Sequence, residues 1–257
     1  MQDLFSLSGK VAVITGSSRG IGRAIAEAMA AAGAKVVVSS RKREACEPVA
    51  GAIREAGGEA AVIPCNISDE DQRAGLIAET REQFGRIDTL VLNAAANPVY
   101  GSMTEISDAA FDKIIGNNVR ANMKLAHGVL PEMAERGEGA VVIVSSIAGM
   151  RGSENLGTYA VSKAADFQMA RNMAMEWSPN GVRINCIAPG LVRTDFARAL
   201  WENPDALAHV EGLTPLRRIG EPEDIAGIAV FLAAPASRFM TGQTVVADGG
   251  ATIADVF

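Results

Sequence analysis

Residues 10–44 read "KVAVITGSSRGIGRAIAEAMAAAGAKVVVSSRKRE" and decide the fold. Two nearly uninterrupted apolar runs, 10–15 and 34–39, flank an Ala-rich segment whose apolar residues recur at spacings of three and four and which closes on Gly33. That is strand, helix, strand, and strands so continuously apolar belong to a parallel sheet covered on both faces. Gly16, Gly20 and Gly22 stand between the first strand and the helix. Glycines allow a tight turn and let backbone amides approach an anion at the positive end of the helix, so a pyrophosphate suits the place. The spacing is Gly-x-x-x-Gly-x-Gly, and an ordinary strand-to-helix turn can also be glycine-rich.

Working outward, the alternation continues. "EAAVIPC", "TLVLN", "AVVIVSS", "VRINCIAPG" and "TVVADGG" are further strand-like runs, separated by helical stretches such as "TYAVSKAADFQMARNMAMEW". Seven strands predict an α/β chain: a single doubly wound Rossmann-type domain over residues 1–257, with a seven-stranded parallel sheet and helices on both faces. Residues 225–236 read as a core helix, too short to cross a bilayer. Residues 193–224, interrupted by Pro204, Gly212, Pro215, Gly220 and Pro222, read as one long irregular segment, the expected substrate cover.

The chain carries 24 Lys and Arg against 30 Asp and Glu, mixed along its length for a net charge of −6, so nucleic acid and anionic membranes are not expected partners. Cys46, Cys65 and Cys186 are scattered and odd in number, and only two histidines are present. Reduced thiols and no metal site are expected. The N-terminal residues lack a signal-peptide pattern and the last residues lack a peroxisomal address, which makes the cytoplasm the expected location.

Tyr159 and Lys163, four positions apart, share a helical face. A phenol with an ordinary pKa of about 10 is a weak acid–base catalyst at neutral pH, and a neighbouring ammonium favours its ionised form. Alone, the pair equally describes an aromatic–aliphatic contact on a solvated face. Ser146 adds a hydroxyl at the carboxyl end of a strand, where open α/β sheets bind ligands, although a turn serine would look the same. Asn118, in "DKIIGNNVRAN", reads either as a polar position on an amphipathic helix or as part of this set.

Taken in order, "TGSSRGIG", "LNAA", "NNV", Ser146, "YAVSK", "NCIAPG" with Thr194, and "TGQTVVADGG" closely resemble the short-chain dehydrogenase/reductase family over essentially the whole chain. The resemblance implies that Tyr159 exchanges a proton with a carbonyl or alcohol oxygen and that Ser146 hydrogen-bonds that oxygen. Lys163 would lower the Tyr159 pKa and hold the nicotinamide ribose, and Asn118 would support a water-mediated proton path. It further implies a nicotinamide dinucleotide held by Gly16, Ser18, Arg19, Gly20, Ile21 and Gly22. Ser40, Arg41, Asn66 and Ile67 would flank its adenosine end, Asn93, Ala94 and Ala95 would lie beneath it, and Pro189, Gly190, Val192 and Thr194 would hold the nicotinamide. Two departures stand out. Ala95 replaces the usual glycine, in a pattern ("NAAANPVYGS") similar to certain NADP(H)-dependent carbonyl reductases, and Asn66 replaces a common aspartate.

Ser40 occupies the position where NAD-preferring relatives often carry an aspartate, and Arg41, Lys42 and Arg43 follow it. Without a carboxylate a 2′-phosphate is not repelled; Arg41, with Arg19 as a second clamp, would bind it, which makes NADP(H) the expected cofactor with NAD(H) still possible. On this reading Ser39 or Ser40 caps the next helix and the three cations occupy its first turn, where their sign is wrong for the helix dipole. A solvated basic helix start is the rival for Lys42 and Arg43. Residues 97–100, 150–155 and 191–201, with Phe196, Leu200 and Trp201, are expected to wall a pocket for a small-molecule carbonyl or alcohol. An alternative is reduction of a 3-oxoacyl group on an acidic carrier protein, docked by Arg193, Arg198, Arg217 and Arg218. A non-catalytic NADP(H)-sensing protein is a further alternative. The family resemblance implies a homotetramer, in which the helix through Met169, Met173 and Met175 packs either between subunits or within one.

Overall fold

The computed structural model describes residues 4–254; the terminal tracts that bear on targeting, 1–3 and 255–257, lie outside the described residues. In chain order the elements are β1 (Val11–Thr15), α1 (Gly20–Ala31), β2 (Lys35–Ser39), α2 (Arg43–Glu55), β3 (Glu59–Val62), α3 (Glu70–Phe84) and β4 (Thr89–Leu92). There follow α4 (Asp108–Ile115), a π-helical turn (Gly116–Ala121), α5 (Asn122–Arg136), β5 (Gly139–Val144), α6 (Gly157–Trp177) and β6 (Val182–Pro189). The chain ends with α7 (Arg198–Trp201), α8 (Pro204–Leu213), α9 (Pro222–Ala233) and β7 (Thr244–Ala247). All seven expected strands form, in one parallel sheet ordered β3-β2-β1-β4-β5-β6-β7.

Alternation along each strand divides the core into two layers. Val13, Val37, Leu90, Val141 and Ile184 face α3, α5 and α6, where Leu76, Leu125 and Phe167 meet them. Ile14, Val36, Val38, Val142 and Ile187 face α1, α2 and α9, where Ile25, Val49 and Ile225 meet them. The strand order reverses between β1 and β4, and the crevice at their carboxyl ends is where such sheets bind ligands.

Two local expectations are corrected. Residues 193–224 are largely helical. Pro204 and Pro222 open α8 and α9 instead of breaking them, because proline at the first helical position gives up only an amide with no intrahelical partner. Asn203 caps α8 by accepting from the amides of Asp205 and Ala206. At the tip of β2 neither serine caps α2, which begins at Arg43 with Lys42 at its N-cap position and no side-chain cap. The Ser39 amide instead donates to Ser17 Oγ (2.8 Å), and Ser40 Oγ lies 3.2 Å from Cys46 Sγ. Arg41 and Lys42 therefore precede the helix, and only Arg43 sits in its first turn, beside Glu47 (3.4 Å).

Met173 packs in the core, Met169 lies against it and Met175 is exposed, so the methionines of α6 divide between inside and outside. All three cysteines are free and buried. Among the described residues no helix is long and apolar enough to cross a membrane.

Candidate active site

The turn between β1 and α1 is packed too tightly to accept a side chain. Gly16 has φ +67°, and a Cβ on Gly22 would stand 2.4 Å from the Gly16 carbonyl oxygen and 2.5 Å from Asn93 Nδ2. Asn93, at the end of β4, donates that amide to the carbonyls of Thr15 (3.0 Å) and Gly16 (3.1 Å). Thr15 Oγ1 accepts in return from the amides of Asn93 and Ala94 (both 3.1 Å). Asn93 is thus committed to bracing the turn, with Ala94 and Ala95 half-buried beside it. A helix N-terminus with its backbone uncovered fits a pyrophosphate in shape and sign. Ser18, Gly20 and Ile21 lie half-buried along the turn. Thr194 closes over it, with its methyl 3.1 Å from where a Gly20 Cβ would be.

Arg19 is exposed and pairs with Asp195 (3.2 Å), so in this structure it is not free to serve as the second clamp. Arg198 also holds Asp195, whose carboxyl the two guanidiniums keep below its ordinary range. Arg41 and Lys42 are exposed and make no ion pair among the described residues. Asn66 accepts from the Ser68 amide (3.3 Å) in a turn after β3, and the Ile67 side chain enters the core. Pro189 ends β6, and Gly190 packs where a Cβ would meet Asp248 Cα at 2.8 Å. The Val192 side chain is core, and its backbone bridges to Gly220.

The catalytic candidates meet at the carboxyl ends of β4 and β5. Asn118, fully buried in the π-helical turn, accepts from the Ala96 amide (2.8 Å) and donates to the Ala96 carbonyl and to Ser162 Oγ (both 3.0 Å). Ser162 Oγ in turn donates to the Tyr159 carbonyl (2.7 Å), so Asn118 braces α6 one turn below Tyr159. π-Helical turns are frequent at functional sites, and none of the spacings in "GNNVRA" announces one. Ser146 caps a short turn by accepting from the Ala148 amide (3.1 Å) and lines the cavity beside Tyr159. Lys163 Nζ, buried, donates to the Val144 carbonyl (2.9 Å) and to Asp166 Oδ2 (3.1 Å), and sits 5.7 Å from the centre of the Tyr159 ring.

Burial pushes the Tyr159 phenol above its ordinary value. Lys163 and the Ser146 hydroxyl oppose that shift, while the Asp166 carboxylate adds to it. The influence of Lys163 on the phenol has the expected sign, and burial is the larger effect in the opposite direction. Burial alone would lower Lys163, yet Asp166 and Tyr159 hold it above the ordinary lysine range. Asp166, Ser162 and Asn122 were not among the candidates. The available signal was that positions 159, 162, 163 and 166 lie on one face of α6, all polar.

A cavity of about 840 Å³ opens over Tyr159, lined by residues from 97–100, the loop after β5, and the segment after β6. Val99, Leu156, Phe196, Leu200, Val210 and Leu213 make its apolar walls. The Phe196 ring lies 6.0 Å from that of Tyr159. Trp201 does not line it; its indole donates to the Thr194 carbonyl (2.9 Å) and its ring carries Arg193 at 5.2 Å, so it anchors the cover from behind.

A family model described as Enoyl-(Acyl carrier protein) reductase matches residues 16–252. Dehydrogenase/reductase SDR family member 4 of Bos taurus is 41% identical over 244 residues, covering 95% of this chain and 88% of that protein. Among solved structures, a gluconate 5-dehydrogenase from Burkholderia cenocepacia J2315 in complex with NADP and tartrate superposes with TM-score 0.94 at 31% identity, over 98% of this chain and 99% of that one. A 7α-hydroxysteroid dehydrogenase complexed with NADH and 7-oxo glycochenodeoxycholic acid superposes with TM-score 0.93 at 35% identity, over 97% of each chain.

Proposed function

The chain belongs to the short-chain dehydrogenase/reductase family of oxidoreductases, and on that premise we propose that it moves a hydride between NADP(H) and a ketone, an aldehyde or the corresponding alcohol. The observation that carries this reading is the meeting of Tyr159 and Ser146 on the wall of one largely apolar cavity, with the buried Lys163 ammonium 5.7 Å from the Tyr159 ring centre, beside a turn shaped for a pyrophosphate. A nicotinamide cofactor supplies the hydride when bound. Residues 16–22 would hold its diphosphate, and residues 189–194 and Lys163 its nicotinamide end. Tyr159 gives its phenolic proton to the carbonyl oxygen in reduction and takes one back in oxidation, and Ser146 orients that oxygen by a hydrogen bond. Asn118 keeps α6, and with it Tyr159, in place through Ser162.

The choice of NADP(H) rests on Ser40 and the unpaired Arg41 at the tip of β2, with Arg19 joining only by sharing or leaving Asp195. Related structures carry either NADP or NADH, so this local chemistry bears the argument. Residues 193–224 would cover an organic substrate, and the walls favour one with an apolar body next to its carbonyl. Docking of an acidic carrier protein is less well supported, because Arg193 pairs with Glu221 (3.0 Å), Arg198 with Asp195 and Glu202, and Arg218 with Asp224. Exposed Phe111, Val161 and Met175 on α4 and α6 support assembly, which we propose to be a homotetramer and which light scattering would test.

The direct test is turnover on a panel of ketones, aldehydes and alcohols with each nicotinamide cofactor. Activity with NADPH well above that with NADH is expected. No turnover with either cofactor would overturn the reading.

A further inference from the structure

Asp166 is fully buried, and none of the roles assigned above uses it. It stands three positions after Lys163 on α6, and its Oδ2 accepts from the buried ammonium at 3.1 Å. A lysine ammonium has three N–H donors; Val144 and Asp166 take two, leaving one for the side where Tyr159 lies. A neutral acceptor such as the Val144 carbonyl satisfies a donor without altering the field. A carboxylate adds a full negative charge to the same cluster. Asp166 Oδ1 is buried without a geometric hydrogen-bond partner among the described residues, and although burial pushes this carboxyl up, Lys163 opposes that shift most, with smaller help from Ser145 and Asn122.

We propose that Asp166 is a positioning residue for the reaction, a buried counter-charge that fixes where the Lys163 ammonium sits and how much of its field reaches Tyr159. This rests on the reading of Tyr159 as the proton carrier. The groups facing the pair come from five segments. Tyr159 and Ser162 belong to α6 itself. Ser145 and Ser146 lie after β5, and Ser145 Oγ donates to the Lys163 carbonyl (2.9 Å). Asn118 and Asn122 come from the π-helical turn and α5, and Asn122 donates to the Asn118 carbonyl (2.8 Å). Cys186 of β6 has its Sγ 3.5 Å from the Asp166 carbonyl, and burial pushes its thiol up, so it stays uncharged. Lys163 is therefore the cation of this cluster and Asp166 its counter-charge. Removing the Asp166 charge leaves the ammonium unopposed at Tyr159 and makes the phenol more acidic.

The chain has two tyrosines, Tyr100 and Tyr159, so the phenolate absorbance of cofactor-free protein minus that of Tyr159→Phe isolates the ionisation of Tyr159 without any turnover. Wild-type protein is expected to titrate above the ordinary phenol value of about 10. Asp166→Asn, referenced to the matching double variant, should titrate lower by about one pH unit, and the pH profile of alcohol oxidation should move to acid by the same amount. An unmoved midpoint, even with lower thermal stability, overturns the proposal and leaves Asp166 a structural group. Should Asp166→Asn not fold, a wild-type midpoint at or below about 10 overturns it as well. The two readings fail separately. Near-normal turnover by Tyr159→Phe would remove Tyr159 from the chemistry, whereas an inactive Tyr159→Phe beside an unmoved Asp166→Asn midpoint would dismiss only Asp166.

Discussion

Around Gly16 and Gly22 the site is made of backbone, kept open by missing side chains and braced by Thr15 and Asn93 from neighbouring strands. Along α6, a few residues' reach away, it is made of buried polar side chains, Ser162, Lys163 and Asp166, each committed to a specific partner. Both sit at the carboxyl end of the same sheet, yet they are vulnerable to different changes. The turn is sensitive to volume and indifferent to charge-preserving chemistry. The helix face is sensitive to charge, because an unpaired ion in surroundings so fully buried is costly.

That contrast can be broken at either end. The largest effect is expected from Lys163→Met, which keeps the stem but leaves the Asp166 carboxylate unpaired. Breaking such a buried pair costs about 3–5 kcal/mol, less whatever Asp166 recovers by protonation, and chemical denaturation should show it together with lost turnover. Next comes Gly22→Ala, whose added methyl would lie 2.4 Å from a backbone oxygen and forces the turn apart. Calorimetry should show cofactor affinity weakened by well over tenfold, with the pH profile of residual activity unchanged. The smallest is Arg41→Ala. A hydrogen bond to a charged group is worth about 1.5–3 kcal/mol, so NADPH should bind roughly 10- to 100-fold more weakly while NADH is little affected. Equal losses for both cofactors would remove the 2′-phosphate assignment.

The sheet was legible because buried parallel strands such as Val36–Val38 are apolar without interruption, and Tyr159 with Lys163 because their spacing matches a helical face. Asp166 lay on that face too, but a lone carboxylate on a helix ordinarily faces water, and only packing reveals that this one does not. The cover was misread for a different reason. Pro204 and Pro222 interrupt an apolar pattern when seen along the chain, whereas their capping neighbours Asn203 and Glu221 make them helix starts. The Ser39 cap failed because Ser39 is still the last residue of β2 while α2 starts at Arg43, out of reach of the Ser39 Oγ, which is buried without a hydrogen-bond partner among the described residues.

The central claim is that Tyr159 carries the proton while the rest of the site binds and orients. Measuring kcat and the NADPH dissociation constant side by side for Tyr159→Phe tests it most directly. General acid catalysis is typically worth about 10²–10⁴-fold, so kcat for carbonyl reduction should fall by that factor with NADPH affinity preserved. Near-normal turnover, or a loss explained by weakened NADPH binding, would contradict the account.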